Sequence, residues 1–381
     1  MMDGLFAKNI IISVILPVWN PGPGIDRCIE SLRSQTLKDI EIIFVDDRGT
    51  DDAMEKVRTA AAEDPRIRIL ENPENMGPGP SRNRGFEAAR GEYILCVDPD
   101  DFIDHHFLEA LYQYAAEKNL DIVKGSFALD IPELGISKKS KMNRDICDKL
   151  KIGYPLYMVF TKEHQSMLVR RKLILEQGIK YGDTRYSEDI YYLFLLGLSN
   201  ASFGICDAPE SYHLVYRKDS LTRTFSDMRL FDRLKVFQDS VELLLKREHD
   251  IYAKKFIITR VHYLLRLHAY IRRFPGQKES AKLFLKELRE QLEHCPLLDD
   301  DIKKNLVLRG LVKYGENIEN RPFSAPFLKP GRKDYLDIHL RRLAFAVRHP
   351  NEIPYLTKDF LKPVYRKIHH FSCNVTVLKK R

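Results

Sequence analysis

The sequence lacks several patterns that would place it in a common class of protein. Its six cysteines form no C-x-x-C pair, and no Cys/His cluster has the spacing of zinc ligands. The longest apolar runs, about 10–18 and 191–198, fall far short of the ~20 residues that a membrane-spanning helix needs. No secretory signal is visible either, so the scattered cysteines predict a reducing, cytoplasmic location.

The positive charge of the chain is unevenly placed. The formal net charge is +8, but residues 321–381 contain 14 Lys and Arg against 4 Asp and Glu. This basic tail suits the anionic headgroups of a membrane surface, which would make the protein peripheral at the inner face of the cell membrane. A solvated tail and a helix packed on the rest of the chain are the alternatives. No nucleic-acid partner is expected, because the chain has no recognition motif and no aromatic platform.

The first 130 residues alternate between strand and helix signals. Short runs rich in β-branched residues predict strands at 11–18, 40–45, 66–70, 92–97 and 121–127. Periodic apolar residues between them predict helices, so the fold class is α/β with a mainly parallel sheet and helices on both faces. Ligands bind beyond the carboxyl ends of the strands in such sheets. No G-x-G-x-x-G follows the first strand, which argues against a dinucleotide-dependent oxidoreductase.

Three acidic motifs follow or precede these elements. The first, VDDRGTDD at 45–52, and the second, VDPDD at 97–101, each come at the end of a predicted strand. The third, SEDIYYLFLLG at 187–197, places Glu188 and Asp189 before an apolar stretch. Clustered carboxylates suit hard divalent cations and general-base chemistry. Each motif alone is equally typical of a helix cap, a solvated turn or an acidic first helical turn.

The order of the motifs is more specific than any one of them. PVWNPG, VDD, NMGPGPSRNRG, DPDD and ED follow one another between residues 17 and 189. This series resembles the family 2 glycosyltransferases of the GT-A fold, among them bacterial cell-surface polysaccharide glycosyltransferases. The likeness is close over 11–127, weaker to about 226 and absent beyond. It implies a GT-A catalytic domain at 1–226. Helical periodicity predicts helices at 230–246, 253–273, 280–294 and 301–314, and therefore a helical C-terminal domain at 227–320, which the basic tail at 321–381 follows.

The resemblance also implies a role for individual residues. The expected nucleotide-sugar contacts are Pro17, Val18, Trp19, Asn20, Asp46, Asp47, Arg82, Asp98, Arg217 and Ser220. Trp19 stands where the family often has Tyr. The expected ligands of Mn²⁺ or Mg²⁺ are Asp100, Asp98 and His213, with Asp101 as a supporting partner; His213 is alternatively a satisfied structural histidine. Asp189 is the expected catalytic base, and Glu188 its neighbour that orients acceptor or donor.

The implied activity is inverting, metal-dependent, hexosyltransferase-type glycosyl transfer. The donor is a nucleotide-sugar, with a UDP-sugar favoured, and the acceptor is a hydroxyl of a glycan or lipid-linked molecule in cell-surface polysaccharide synthesis. A catalytically inactive nucleotide-sugar-binding module is the alternative. The sequence does not identify the sugar, the acceptor, the linkage or the oligomeric state.

Overall fold

This computed structural model describes residues 10–132, 135–139, 164–216, 227–246, 257, 260, 261, 264 and 278–296. All of them belong to a compact unit of residues 1–307. Arg217, Ser220, the basic tail at 321–381 and much of the predicted helical domain lie outside the described residues. The domain boundaries at 226 and 320 therefore stay predictions. No helix in the described part of the chain is long and apolar enough to cross a membrane.

The strands and helices alternate through the first 130 residues, as predicted. The strands are β1 Ile12–Val18, β2 Ile40–Asp46, β3 Ile67–Glu71, β4 Tyr93–Cys96, β5 Phe102–Ile103, β6 Ile122–Lys124, β7 Ser126–Ile131, β8 Ile136–Lys139, β9 Met167–Arg170, β10 Phe203–Ile205 and β11 Ser211–Val215. The helices are α1 Gly24–Arg33, α2 Ala53–Glu63, α3 Pro78–Ala88, α4 Phe107–Lys118, α5 Arg171–Gln177, α6 Glu188–Leu198, α7 Asp227–Lys246 and α8 Lys278–Glu293.

Seven strands form the central sheet in the order β10-β6-β9-β4-β1-β2-β3. Every pair is parallel except those of β9, which runs antiparallel to β4 and β6. All residues of β1 and β2 are buried, as expected of strands covered by helices on both faces. The four apolar residues of α1 that show helical spacing, Ile25, Cys28, Ile29 and Leu32, are buried as well. The predicted mainly parallel α/β sheet is confirmed.

One predicted strand is in fact two. The run at 121–127 divides at Gly125 into β6 of the central sheet and β7 of a second sheet, whose order is β5-β11-β7-β8. A Cβ at Gly125 would lie 2.8 Å from the Leu111 side chain, so only glycine fits where the chain changes sheets. Sequence periodicity does not reveal this division, because apolar residues continue through it. The second sheet meets the carboxyl edge of the first through β5, which follows the second acidic motif.

Glycines also determine how α3 is placed. The helix begins after Gly77, whose φ of +88° favours glycine, and has Pro78 in its first turn. A Cβ at Gly79 would lie 2.4 Å from the carbonyl oxygen of Gly182, so α3 passes very close to the segment before α6. A Cβ at Gly85 would overlap the Ile15 side chain on β1. These close approaches put Arg82 between the carboxyl edge of the sheet and the start of α6.

Candidate active site

The loops after β1 and β2 are tied together. Asn20 has a left-handed backbone with φ of 47°, and its side-chain Oδ1 accepts hydrogen bonds from the amides of Thr50 at 2.6 Å and Asp51 at 3.2 Å. Pro17 and Val18 are buried within β1, whereas Trp19 is partly exposed. The Arg185 guanidinium lies 5.7 Å from the centroid of the Trp19 ring. These contacts therefore hold the predicted base-binding loop in place at the carboxyl edge of the sheet.

Asp46 and Asp47 have different surroundings. Asp46 accepts a hydrogen bond from the Arg48 amide at 2.9 Å and borders a recess of about 280 Å³, which Arg48 and Arg58 also line. Asp47 is buried and accepts hydrogen bonds from the amides of Met76 at 2.7 Å and Gly77 at 2.9 Å. Neither carboxylate caps α2. Asp47 instead anchors the loop that leads into α3, whereas Asp46 lies at a recess between charged side chains.

Arg82 joins the second and third acidic motifs. It is 4% exposed, and it donates hydrogen bonds to Asp98 Oδ1 at 2.6 Å and to Glu188 Oε1 at 2.9 Å. Its guanidinium also lies 5.0 Å from the centroid of the Tyr181 ring. A planar guanidinium can serve two carboxylates at once because its donors form a rigid fork. Asp98 and Glu188, 90 positions apart in the sequence, are thus linked through one buried side chain.

Asp98 is held in its ionised form. Burial alone would raise its pKa, but the Arg82 guanidinium, helped by a hydrogen bond from Gln165, holds that pKa below its usual value. Gln165 Nε2 donates to Asp98 Oδ2 at 2.9 Å, so both carboxylate oxygens have a partner.

Asp101 connects the second acidic motif, residues 97–101, to β11. It is buried and accepts hydrogen bonds from the Tyr212 hydroxyl at 2.7 Å and the Val215 amide at 2.8 Å. The Tyr212 oxygen in turn accepts a hydrogen bond from the Asp98 amide at 3.0 Å. Burial, together with the nearby charges of Asp100 and Asp98, raises the pKa of Asp101 well above its usual range. Asp101 therefore ties the motif to β11.

The carboxylates of the second motif differ in exposure and in partners. Asp98 and Asp101 have both oxygens engaged; Asp98 and Asp100 are partly exposed, and Asp100 lies beside the start of α1. Across the described ranges, no group of three or more His, Cys, Asp or Glu side chains is arranged to hold a metal ion. Mg²⁺ is commonly bound by one or two carboxylates together with substrate phosphates and water. The arrangement is compatible with that kind of site, centred on Asp100.

His213 has the surroundings of a structural histidine. Its Nδ1 lies 2.9 Å from Asp130 Oδ2, and its Nε2 lies 2.9 Å from Asp104 Oδ1. The ring stacks on Phe102 with centroids 4.2 Å apart. Both ring nitrogens are engaged by carboxylates, so the geometry favours the satisfied structural histidine over the predicted metal ligand. A spacing pattern along the sequence does not distinguish these two roles.

Glu188 and Asp189 begin α6 and differ in burial. Glu188 is buried against Arg82, and burial, with the neighbouring Asp189 charge, raises its pKa to about 7. Asp189 is partly exposed, and burial of its carboxyl group raises its pKa too, although Arg82 acts in the opposite direction. Glu188 therefore orients Arg82, whereas Asp189 keeps partial exposure at the start of α6.

Several residues of the site carry no sequence motif. Gln165 contacts Asp98, and the adjacent His164 is buried with its Nδ1 3.0 Å from the Tyr181 hydroxyl. Burial lowers the pKa of His164 to about 3, so the ring is neutral. The buried Lys124 ammonium donates to the carbonyl oxygen of Gln165. Nothing in the sequence around residue 165 points to the acidic motif, so these contacts emerge only from the fold.

The mainly parallel sheet, with acidic motifs at its carboxyl edge, agrees with the GT-A fold. Residues 13–177 match the family described as glycosyl transferase family 2. Over these residues the chain is similar to the family 2 glycosyltransferases, as the order of motifs indicates.

Individual relatives agree with this assignment. Glycosyltransferase GlyG of Streptococcus pneumoniae serotype 4 is 38% identical over 117 residues, which cover 31% of this chain and only 39% of GlyG. Cholesterol galactosyltransferase of Borreliella burgdorferi is 28% identical over 299 residues, covering 74% of this chain and 81% of that protein. The crystal structure of S. aureus TarS 1-349 in complex with UDP-GlcNAc has a TM-score of 0.62 at 17% identity, over 80% of this chain and 89% of that chain. This last likeness confirms the fold.

Proposed function

We propose that the protein is an inverting, metal-dependent glycosyltransferase that moves a sugar from a nucleotide-sugar to an acceptor hydroxyl. The observation that carries the proposal is the Arg82 bridge, which joins Asp98 at 2.6 Å and Glu188 at 2.9 Å. It brings the motif expected to hold the diphosphate next to the motif expected to hold the base. An inactive nucleotide-sugar-binding module would need neither the base nor its alignment with the donor.

The proposed reaction is a single displacement at the anomeric carbon. Asp189 takes the proton from the acceptor hydroxyl as that oxygen forms a bond to the anomeric carbon. The bond from this carbon to the diphosphate oxygen breaks, and the nucleoside diphosphate leaves with the electron pair. Attack from the opposite face inverts the configuration. The raised pKa of Asp189 makes it a stronger base than an ordinary Asp, at the cost of a smaller ionised fraction at low pH.

A divalent cation is part of the proposal. Asp100 would hold Mn²⁺ or Mg²⁺ together with the donor's diphosphate, and the ion would neutralise charge on the leaving group. Arg82 and Gln165 keep Asp98 ionised and in place beside this position. Arg217 and Ser220 remain the proposed contacts for the diphosphate from the loop outside the described residues.

The substrates are proposed from the relatives. TarS was solved with UDP-GlcNAc and with UDP, which makes UDP-sugars the first donor class to test. The acceptor is proposed to be a glycan or lipid-linked molecule in cell-surface polysaccharide synthesis. The basic tail at 321–381 is proposed to hold the enzyme at an anionic membrane surface on the cytoplasmic side.

A donor screen tests this proposal. Purified protein is incubated with Mn²⁺ or Mg²⁺ and a panel of UDP-, GDP- and TDP-sugars, and released nucleoside diphosphate is measured. We expect metal-dependent release from one donor, lost in Asp100→Ala and kept in Asp239→Ala, which removes a carboxylate on α7 that pairs with Lys235. Silence across the panel together with no nucleotide binding by calorimetry would overturn the proposed function.

A further inference from the structure

Helix α7 contacts the turn that precedes the catalytic carboxylates. Asp232 Oδ2 accepts a hydrogen bond from the Tyr186 amide at 2.8 Å, and its carboxylate also accepts one from the Arg185 amide. Two consecutive backbone donors of the turn that precedes α6 are therefore satisfied by one side chain from another helix.

Ser187 is the point where the turn is strained. Its φ is +70°, a left-handed conformation that costs a non-glycine residue about 1 kcal/mol or more. Its side chain does not cap α6; the hydroxyl instead accepts a hydrogen bond from Arg233 Nε at 3.1 Å. Strained backbone persists where the surroundings over-determine it, and here adjacent residues of α7 provide the surroundings.

Positive charge from α7 also acts on the Asp189 carboxylate. The charged groups acting on the Asp189 carboxylate are Arg82 on α3, Arg233 on α7 and Arg260, and the Ile190 amide donates a hydrogen bond to it at 2.9 Å. On its own helix, the neighbouring carboxylate is Glu188, whose pKa the Asp189 charge raises. Burial raises the pKa of Asp189, and Arg82, Arg233 and Arg260 lower it. Two of the three cations therefore come from chain that follows residue 226, beyond the part that matches the family.

We propose that Asp232 and Arg233 are positioning residues for Asp189, so that helix α7 is a working part of the catalytic site rather than an appended helix. Asp232 holds the Arg185–Tyr186 backbone, and Arg233 holds Ser187 and contributes positive charge beside the base. The proposal rests on the proposed function for the role of Asp189. It extends the site to a helix that carries no sequence motif of its own.

The first experiment is a pH profile of donor turnover. Arg233→Gln removes a positive charge and raises the pKa of Asp189, so the acid limb should move up by about 0.5–1 pH unit. Arg233→Lys keeps the charge and should leave the limb nearly in place. Asp232→Ala should lower kcat by roughly 10- to 100-fold with little change in donor KM, because a misplaced base affects the chemical step. Lys235→Gln, on the same helix and paired with Asp239, is the control.

The second experiment requires no turnover. Hydrogen exchange of the peptide covering 183–190 should be faster in Asp232→Ala and unchanged in Lys235→Gln, at equal global stability. If Asp232→Ala does not fold, two other variants are measured in its place. These are Asp232→Asn, which keeps one acceptor oxygen, and Arg233→Lys. Unchanged exchange and an unmoved acid limb would overturn the inference. If the wild type shows no turnover but exchange is still faster in Asp232→Ala than in wild type, the result would count against the proposed function. The role of α7 in holding the turn would stand.

Discussion

Both ends of the central sheet bury carboxylates. The amino end surrounds its carboxylate with more positive charge than the carboxyl end does. At the amino end, Glu41 is 2% exposed and is contacted by Ser13 Oγ at 2.7 Å, the Arg90 amide at 2.6 Å and the Arg68 and Arg90 guanidinium groups. At the carboxyl end, the single guanidinium of Arg82 serves both Asp98 and Glu188, with Asp189 adjacent to Glu188.

The pKa values follow this difference. Burial alone would raise the pKa of Glu41, but hydrogen bonds from Ser13, Arg90 and Arg68 together hold it below the usual value. Burial raises the pKa of Glu188 to about 7, because one shared arginine does not offset both desolvation and the Asp189 charge. At the amino end, the guanidinium groups of Arg68 and Arg90 both contact Glu41, so positive charge exceeds the single negative charge. This arrangement favours stability. At the carboxyl end, Glu188 shares one guanidinium with Asp98 and keeps a raised pKa, which is typical of a functional site.

The largest expected effect is at the carboxyl end. Asp189→Asn removes the proposed base, so kcat should fall by about 10²–10⁴-fold. Nucleotide binding should persist, and stability should stay equal or rise, because the burial that raises the pKa of Asp189 disfavours its charged form. Steady-state kinetics, calorimetry and urea unfolding measure the three quantities. Asp239→Asn, an equivalent change on α7, should leave all three near wild type. Full turnover in Asp189→Asn would refute the assignment of the base.

The next effect is at the amino end and should have the opposite character. Glu41→Ala leaves the Arg90 amide and the Ser13 hydroxyl without their acceptor, so unfolding free energy should fall by about 3 kcal/mol. Turnover per folded molecule should stay near wild type, since Glu41 lies at the far end of the strands. Urea unfolding and active-site titration separate the two readouts.

An exposed pair supplies the control for Glu41→Ala. Glu63 accepts a hydrogen bond from Arg33 at 3.0 Å, and its side chain is 59% exposed. Glu63→Ala should change stability by about 0.5 kcal/mol or less, because surface ion pairs are screened by solvent. Equal losses in the two variants would mean that burial of Glu41 contributes little. A loss of turnover in Glu41→Ala would mean that the two ends are coupled.

Sequence reasoning predicted the carboxyl end better than the amino end. The strands end in acidic motifs, and parallel strands necessarily bring those ends to one edge, so Asp46 and Asp98 were foreseeable there. The Glu41 cluster carries no motif, because its members lie at 13, 41, 68 and 90 and share only their place in the sheet. Any isolated Ser, Glu or Arg along a strand would give the same signal.

The contacts within the site were less predictable than its members. The Arg82 bridge depends on the close approach of Gly79 to Gly182, a packing detail that no local pattern encodes. Helical periodicity predicted a helix at 230–246, and α7 confirms it, but periodicity does not tell which residues of the polar face meet another element. In the sequence, Asp232 and Arg233 resemble ordinary surface charges. Only the fold shows that they contact the turn at Ser187.

The smallest expected effect is a difference in how stability depends on pH. Glu188 has a folded pKa of about 7, above its unfolded value, so the folded state binds its proton more tightly. Wild-type stability should therefore fall as pH rises from about 4.5 to 7, and Glu188→Gln should remove that part, on the order of 2 kcal/mol. Glu41 contributes in the opposite sense, because its lowered pKa gives stability above about pH 4.3 that is lost as pH falls.

Urea unfolding of wild type and Glu188→Gln between pH 4.5 and 8 measures this dependence. The stability difference between the two proteins should grow with pH and level off above about pH 7. In an Asp189→Asn background the difference should shrink, because the neighbouring charge that raises the pKa of Glu188 is gone. A difference that is constant with pH would mean that Arg82 keeps Glu188 ionised throughout. The carboxyl end would then be as fully neutralised as the amino end, and the contrast between them would not account for catalysis.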